Sequence, residues 1–98
     1  MLILRVLQNG PLHGYAIAQR IHQLSGEVLE AEEGSLYPAL QRMLKAGWLR
    51  AEWGLSERNR KVRIYRITPP GRRQLTSEVS AFERMFAGIR RVMKLRET

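Results

Sequence analysis

Ninety-eight residues without cysteine suit one small domain, with no disulfide, no thiolate metal site and no thiol nucleophile. The short apolar start carries Arg5 and does not read as a signal peptide, and no apolar run approaches the roughly 20 residues of a membrane span, so a soluble cytoplasmic protein is expected. The net charge of +8 is concentrated: residues 42–73 carry ten basic and two acidic side chains, which suits nucleic acid or an acidic membrane surface, or else is a merely solvated basic face.

Leu2, Ile3, Val6 and Leu7 suit a short helix, stopped by Asn9-Gly10-Pro11. A second helix is expected over 13–25, where Ile17, Ile21 and Leu24 form one apolar stripe and Gly26 supplies the left-handed residue after the last turn. The acidic stretch 27–33, with Val28 and Leu29 inside it, reads as a connector. Its Glu30, Glu32 and Glu33 either favour the following helix through its dipole or repel phosphate.

A third helix is expected over 35–46. Ser35 would cap it, Pro38 would fall in its first turn where no hydrogen bond is lost, and Gly47 would close it. Leu36, Leu40, Met43 and Leu44 make its buried stripe, leaving Tyr37, Gln41, Arg42 and Lys45 on the other side. The period then changes to two. Leu49, Ala51 and Trp53 alternate with Arg50, Glu52 and Gly54, a polar turn covers 54–59, and Lys61–Ile67 returns as a second strand. Tyr65 and Ile67 share a face with Arg63, so the sequence leaves the direction of that strand open. Trp48 and Trp53 flank the hairpin and are expected in the core.

Thr68, followed by Pro69-Pro70-Gly71, opens a last helix expected over 70–94, about 37 Å long. Leu75, Val79, Phe82, Phe86, Ile89 and Met93 are spaced 4-3-4-3-4 along it, the 3.5-residue seam that buries against another helix.

These elements describe a mainly α protein with a small β-hairpin (α+β): a winged helix-turn-helix over 1–68 and a C-terminal dimerisation helix over 69–98. The helix 35–46 would enter the major groove, with Gln41 and Arg42 able to pair bidentately with adenine and guanine. Ser35 and Tyr37 suit phosphate contacts, although Tyr37 could equally pack on the second helix. With Pro38 and Lys45 beside them, and with Tyr15, these are the candidate double-stranded DNA contacts outside the wing. The wing over 55–61, with Arg58, Asn59, Arg60 and Lys61 and the adjoining Arg63, would reach the backbone or minor groove. A winged helix used for protein docking is the alternative. His13 and His22 have no third partner for a metal, no acid/base or nucleophile pattern appears, and neither cofactor nor enzyme activity is expected.

Three blocks, Gly10-Pro11-Leu12-His13-Gly14-Tyr15, Glu33-Gly34-Ser35-Leu36-Tyr37-Pro38-Ala39-Leu40, and Tyr65-Arg66-Ile67-Thr68 with Gly71, resemble the PadR family of bacterial transcriptional regulators. The resemblance covers nearly the whole chain and implies a homodimeric winged helix repressor of the short type. It implies that Gly14 and Tyr15 lie near the DNA backbone, that Ser35 and Tyr37 sit on the reading helix, and that Arg58, Arg60 and Lys61 form the basic wing. It also implies a phenolic or other small hydrophobic effector in a cavity at the dimer interface, where Phe82 falls.

Overall fold

The computed structural model describes residues 2–26 and 33–95. Most of the acidic connector, including Val28, Leu29, Glu30 and Glu32, lies outside the described residues. The order of elements is α1 (Leu2–Leu7), β1 (Leu12–His13), α2 (Gly14–Leu24), α3 (Glu33–Lys45), β2 (Leu49–Leu55), β3 (Lys61–Ile67) and α4 (Pro69–Leu95). The three strands form one antiparallel sheet in the order β1-β3-β2.

The core forms where the apolar stripes meet. Ile3, Leu4, Val6 and Leu7 of α1 pack with Ile17 and Ile21 of α2, Leu36 and Leu40 of α3, and Leu49 and Tyr65 of the hairpin. Leu4, Leu7, Ile17 and Leu40 are fully buried, each worth roughly 1.5–3 kcal/mol relative to exposure. Leu24 departs from the expected stripe: it is the last residue of α2 and is exposed, one turn beyond the buried Ile21.

β1 was not expected. Two residues between Pro11 and a helix show no periodicity, yet Leu12 pairs with Tyr65 and His13 with Ile64, covering the free edge of β3. His13 also caps α2, its Nδ1 accepting from the Ala16 N–H at 3.3 Å.

α3 starts two residues before the expected cap. Ser35 is therefore the third helical residue, and Pro38 the sixth. At that depth proline does remove an intrahelical bond, since it has no N–H to return to the Gly34 carbonyl. Gly34 is exposed, so water can take that carbonyl. Gly47 ends the element as expected, with φ +81°.

The hairpin register resolves the direction of β3. Leu49 faces Ile67, Ala51 faces Tyr65 and Trp53 faces Arg63, all on one side of the ladder. That side is buried at its base and emerges into solvent toward the tip: Leu49 is 4% exposed and Trp53 64%. Trp53 is thus not a core residue, because the hairpin outruns the helices beneath it. At the tip, the Asn59 N–H donates to Ser56 O and the Ser56 N–H to Arg60 O. Asn59 takes φ +60°, which asparagine tolerates better than most side chains.

Thr68 ties the hairpin base to α4. Its N–H donates to Trp48 O at 3.0 Å, its hydroxyl donates to Gly47 O at 2.6 Å, and the same oxygen accepts from the Gly71 N–H at 3.1 Å. Leu75 is buried and Val79 partly buried in the protomer's own core. These two members of the seam therefore anchor α4 to its own domain. From Ala81 to Lys94 every residue is exposed, a stretch about 21 Å long that projects from the domain.

Candidate nucleic-acid interface

One face of the domain collects most of the candidate residues. On α3, Ser35, Tyr37, Pro38, Gln41, Arg42 and Lys45 are all exposed, because the buried stripe of Leu36 and Leu40 turns them outward. Tyr15, in the first turn of α2, is exposed beside them. Tyr37 packs on the second helix, one of the two readings left open by the sequence, and still presents a surface to solvent. Part of its ring rests on Gly14, yet the side chain stays 46% exposed.

Between the start of α2, the outer side of α3 and the core-side face of the hairpin runs an open groove of about 400 Å³. Tyr15, Tyr37, Gln41, Lys61 and Arg63 line it together with Trp53, a residue whose sequence pattern suggests the core. The cations are stacked on that indole: Lys61 Nζ lies 5.0 Å, and Arg63 Cζ 5.9 Å, from the ring centroid. No local signal marks Trp53: only the hairpin register sets it opposite Arg63, where a core position would face an apolar residue.

Arg58 and Arg60 lie instead on a second groove, of about 670 Å³, between the wing tip and α2, shared with Tyr15 and Gln19. Arg42 and Lys45 line neither groove and are exposed on α3. Asn59 serves the turn through its backbone. Not all of the basic stretch is available to a polyanion. Arg66 Nε holds Glu52 Oε1 at 2.7 Å on the opposite face of the ladder, an exposed pair worth less than about 1 kcal/mol.

The projecting half of α4 is a separate surface. Phe82 and Phe86 stack with centroids 6.1 Å apart and planes 11° from parallel. With Ile89 and Met93 of the expected seam, and with Met85 and Val92, which it omitted, they leave six large apolar side chains about half or more exposed. A shallow groove of about 420 Å³ runs beside the two phenylalanines, bordered by Arg90, Arg91 and Lys94.

The family model that matches this chain, over residues 3–77, is the Transcriptional regulator PadR-like family. The chain belongs to that family. A relative, described as an uncharacterized 37.1 kDa protein in transposon TN4556 of Streptomyces fradiae, is 42% identical over 87% of the chain, which spans 23% of that relative's length. Among solved structures, a transcriptional regulator from Clostridium thermocellum superposes with a TM-score of 0.84 at 29% identity, covering 92% of this chain and 87% of that one. PadR of Bacillus subtilis, solved in complex with operator DNA, shares the fold. The match has a TM-score of 0.70 at 23% identity, over 80% of this chain and 43% of that one. The PadR-like assignment makes this chain a transcriptional regulator and not an enzyme. Among its described residues, no helix is long and apolar enough to cross a membrane.

Proposed function

We propose that this PadR-like chain is a sequence-specific DNA-binding repressor that acts in the cytoplasm as a homodimer on a palindromic operator. The observation that carries this reading is the juxtaposition of an exposed polar face on α3 with a cationic wing across one groove. A helix of this kind fits the major groove, where Gln41 and Arg42 have the donors and acceptors to read adenine and guanine edges. Ser35, Tyr37, Pro38 and Lys45, together with Tyr15, suit the flanking backbone, and the wing residues Arg58, Asn59, Arg60, Lys61 and Arg63 suit phosphate or the minor groove. Bacillus subtilis PadR, a protein of the same fold, was solved in complex with operator DNA.

The dimer rests on α4. Phe82, Phe86, Ile89 and Met93 are exposed in the protomer and follow the 3.5-residue period that pairs helices, whereas Leu75 and Val79 anchor the helix to its own domain. A small hydrophobic or phenolic effector held against Phe82 would then sit between the two protomers, where it can alter the spacing of the reading helices.

Footprinting on the DNA upstream of the chain's own gene tests this reading. Two protected half-sites about one DNA turn apart, or a multiple of it, are expected. A wild-type protein that protects no sequence and binds no duplex would contradict it.

A further inference from the structure

Trp53 is the most exposed aromatic side chain among the described residues. An isolated exposed indole is unremarkable, but this one has three further properties. It lies on the side of the ladder that looks toward α3, in the groove shared with Tyr37 and Gln41. Two other exposed aromatics, Tyr15 and Tyr37, line the same groove. Its ring also carries two wing cations at once, Lys61 at 5.0 Å and Arg63 at 5.9 Å.

The stacking restricts two long side chains that would otherwise sample many rotamers. An ammonium or guanidinium held in this way loses less freedom when a phosphate arrives. Both cations remain exposed, so stacking leaves their donors open. The ring face holds the cations, while the indole N–H, a donor only, suits an anionic oxygen.

Resting on the DNA-binding reading above, we propose that Trp53 is a DNA-contacting residue of the wing. Its ring holds Lys61 and Arg63 toward one phosphate run, and its own face or N–H lies against the sugar-phosphate backbone beside the groove read by α3. Trp53 thereby links the wing to the reading helix in one continuous contact surface. The contact is to backbone and so is independent of sequence, in contrast to that of Arg42.

The test uses the full chain and its two tryptophans. Trp48 is partly buried against the core and does not line the groove, so it serves as an internal reference. Tryptophan emission is followed while the wild type, Trp53→Phe and Trp53→Leu are titrated with a random-sequence duplex. On saturation the wild-type emission should change, and Trp53→Phe should bind with little loss while showing almost none of that change. Trp53→Leu should bind roughly tenfold more weakly, with a smaller dependence of affinity on salt, because neither cation is held. Circular dichroism of each variant establishes that the hairpin is intact. If the wild type binds duplex while Trp53 emission stays silent, or if Trp53→Leu matches the wild type in affinity and salt slope, the proposal is overturned and the DNA-binding reading survives. If the wild type binds no duplex, both fall.

Discussion

The Tyr37 ring lies over Gly14 so closely that a β-carbon built there would stand 3.1 Å from Cε1 and 3.2 Å from the hydroxyl oxygen. One glycine in α2 thereby sets the position of an exposed side chain on α3. Alanine is the better helix former by up to about 1 kcal/mol, which offsets the strain of displacing a ring that can swing into solvent. Gly14→Ala is therefore expected to change stability by less than about 1 kcal/mol while weakening operator binding. Thermal melts paired with operator gel shifts check both halves, and an unaltered operator affinity would mean that Tyr37 makes no contact.

Gly71 differs from Gly14 in what stands beside it. A β-carbon there would collide with the backbone carbonyl of Trp48, and backbone cannot swing away. Gly71→Ala should destabilise the domain by about 1–3 kcal/mol or more through overpacking at the junction of hairpin and α4. Thr68→Ala, which removes the cap and the bond to Gly47, should cost about 1–2 kcal/mol. Urea denaturation of both variants measures the two effects, and a Gly71→Ala variant as stable as wild type would contradict this packing.

Much of this architecture is legible in the sequence, and what is not has physical causes. Apolar periodicity located all four helices, because each buries one stripe, and the change to period two located the hairpin. β1 left no trace, since two residues cannot display a period. Ser35 looks like a cap because it precedes an apolar stripe, but the helix begins a half-turn earlier at Glu33. Trp53 and Leu24 were misplaced for a common reason: apolar character tells which face a residue shares, not how far the opposing surface extends. The 3.5-residue seam was read as one interface, whereas Leu75 and Val79 lie where α4 still runs over its own core. On the candidate interface the residue types were found individually. Their gathering around a tryptophan depends on strand register, which no local pattern reveals.

Arg42 and Lys61 are expected to differ in kind. Arg42 is exposed on α3, and Arg42→Ala should cost about 1–3 kcal/mol on the operator while relaxing preference at one base position. Lys61→Ala should weaken every sequence alike and reduce the salt slope by about one unit. Binding to operator and random duplex at several salt concentrations separates them, and equal losses on both DNAs for Arg42→Ala would assign it to phosphate.

For α4, Phe82→Asp should leave the winged domain folded, since Phe82 lies beyond the part of the helix that packs on the core. Phe82 is 47% exposed in the protomer, so its burial in a dimer is worth roughly 1 kcal/mol per copy, counted twice by two-fold symmetry. An unpaired carboxylate in the seam adds to that loss. Sedimentation should find the variant largely monomeric at micromolar concentration while wild type dimerises. A wild-type monomer would show that the apolar face of α4 serves another partner.

The central claim is that the cationic wing and α3 together engage duplex DNA, and its most direct test is the affinity of wild-type protein for duplex as a function of salt. The exposed cations Arg42, Lys45, Arg58, Arg60, Lys61 and Arg63 leave several positions for phosphate, doubled in a dimer. Affinity should fall by orders of magnitude between roughly 50 and 200 mM salt. A flat response over that range, with binding otherwise detectable, would contradict the account.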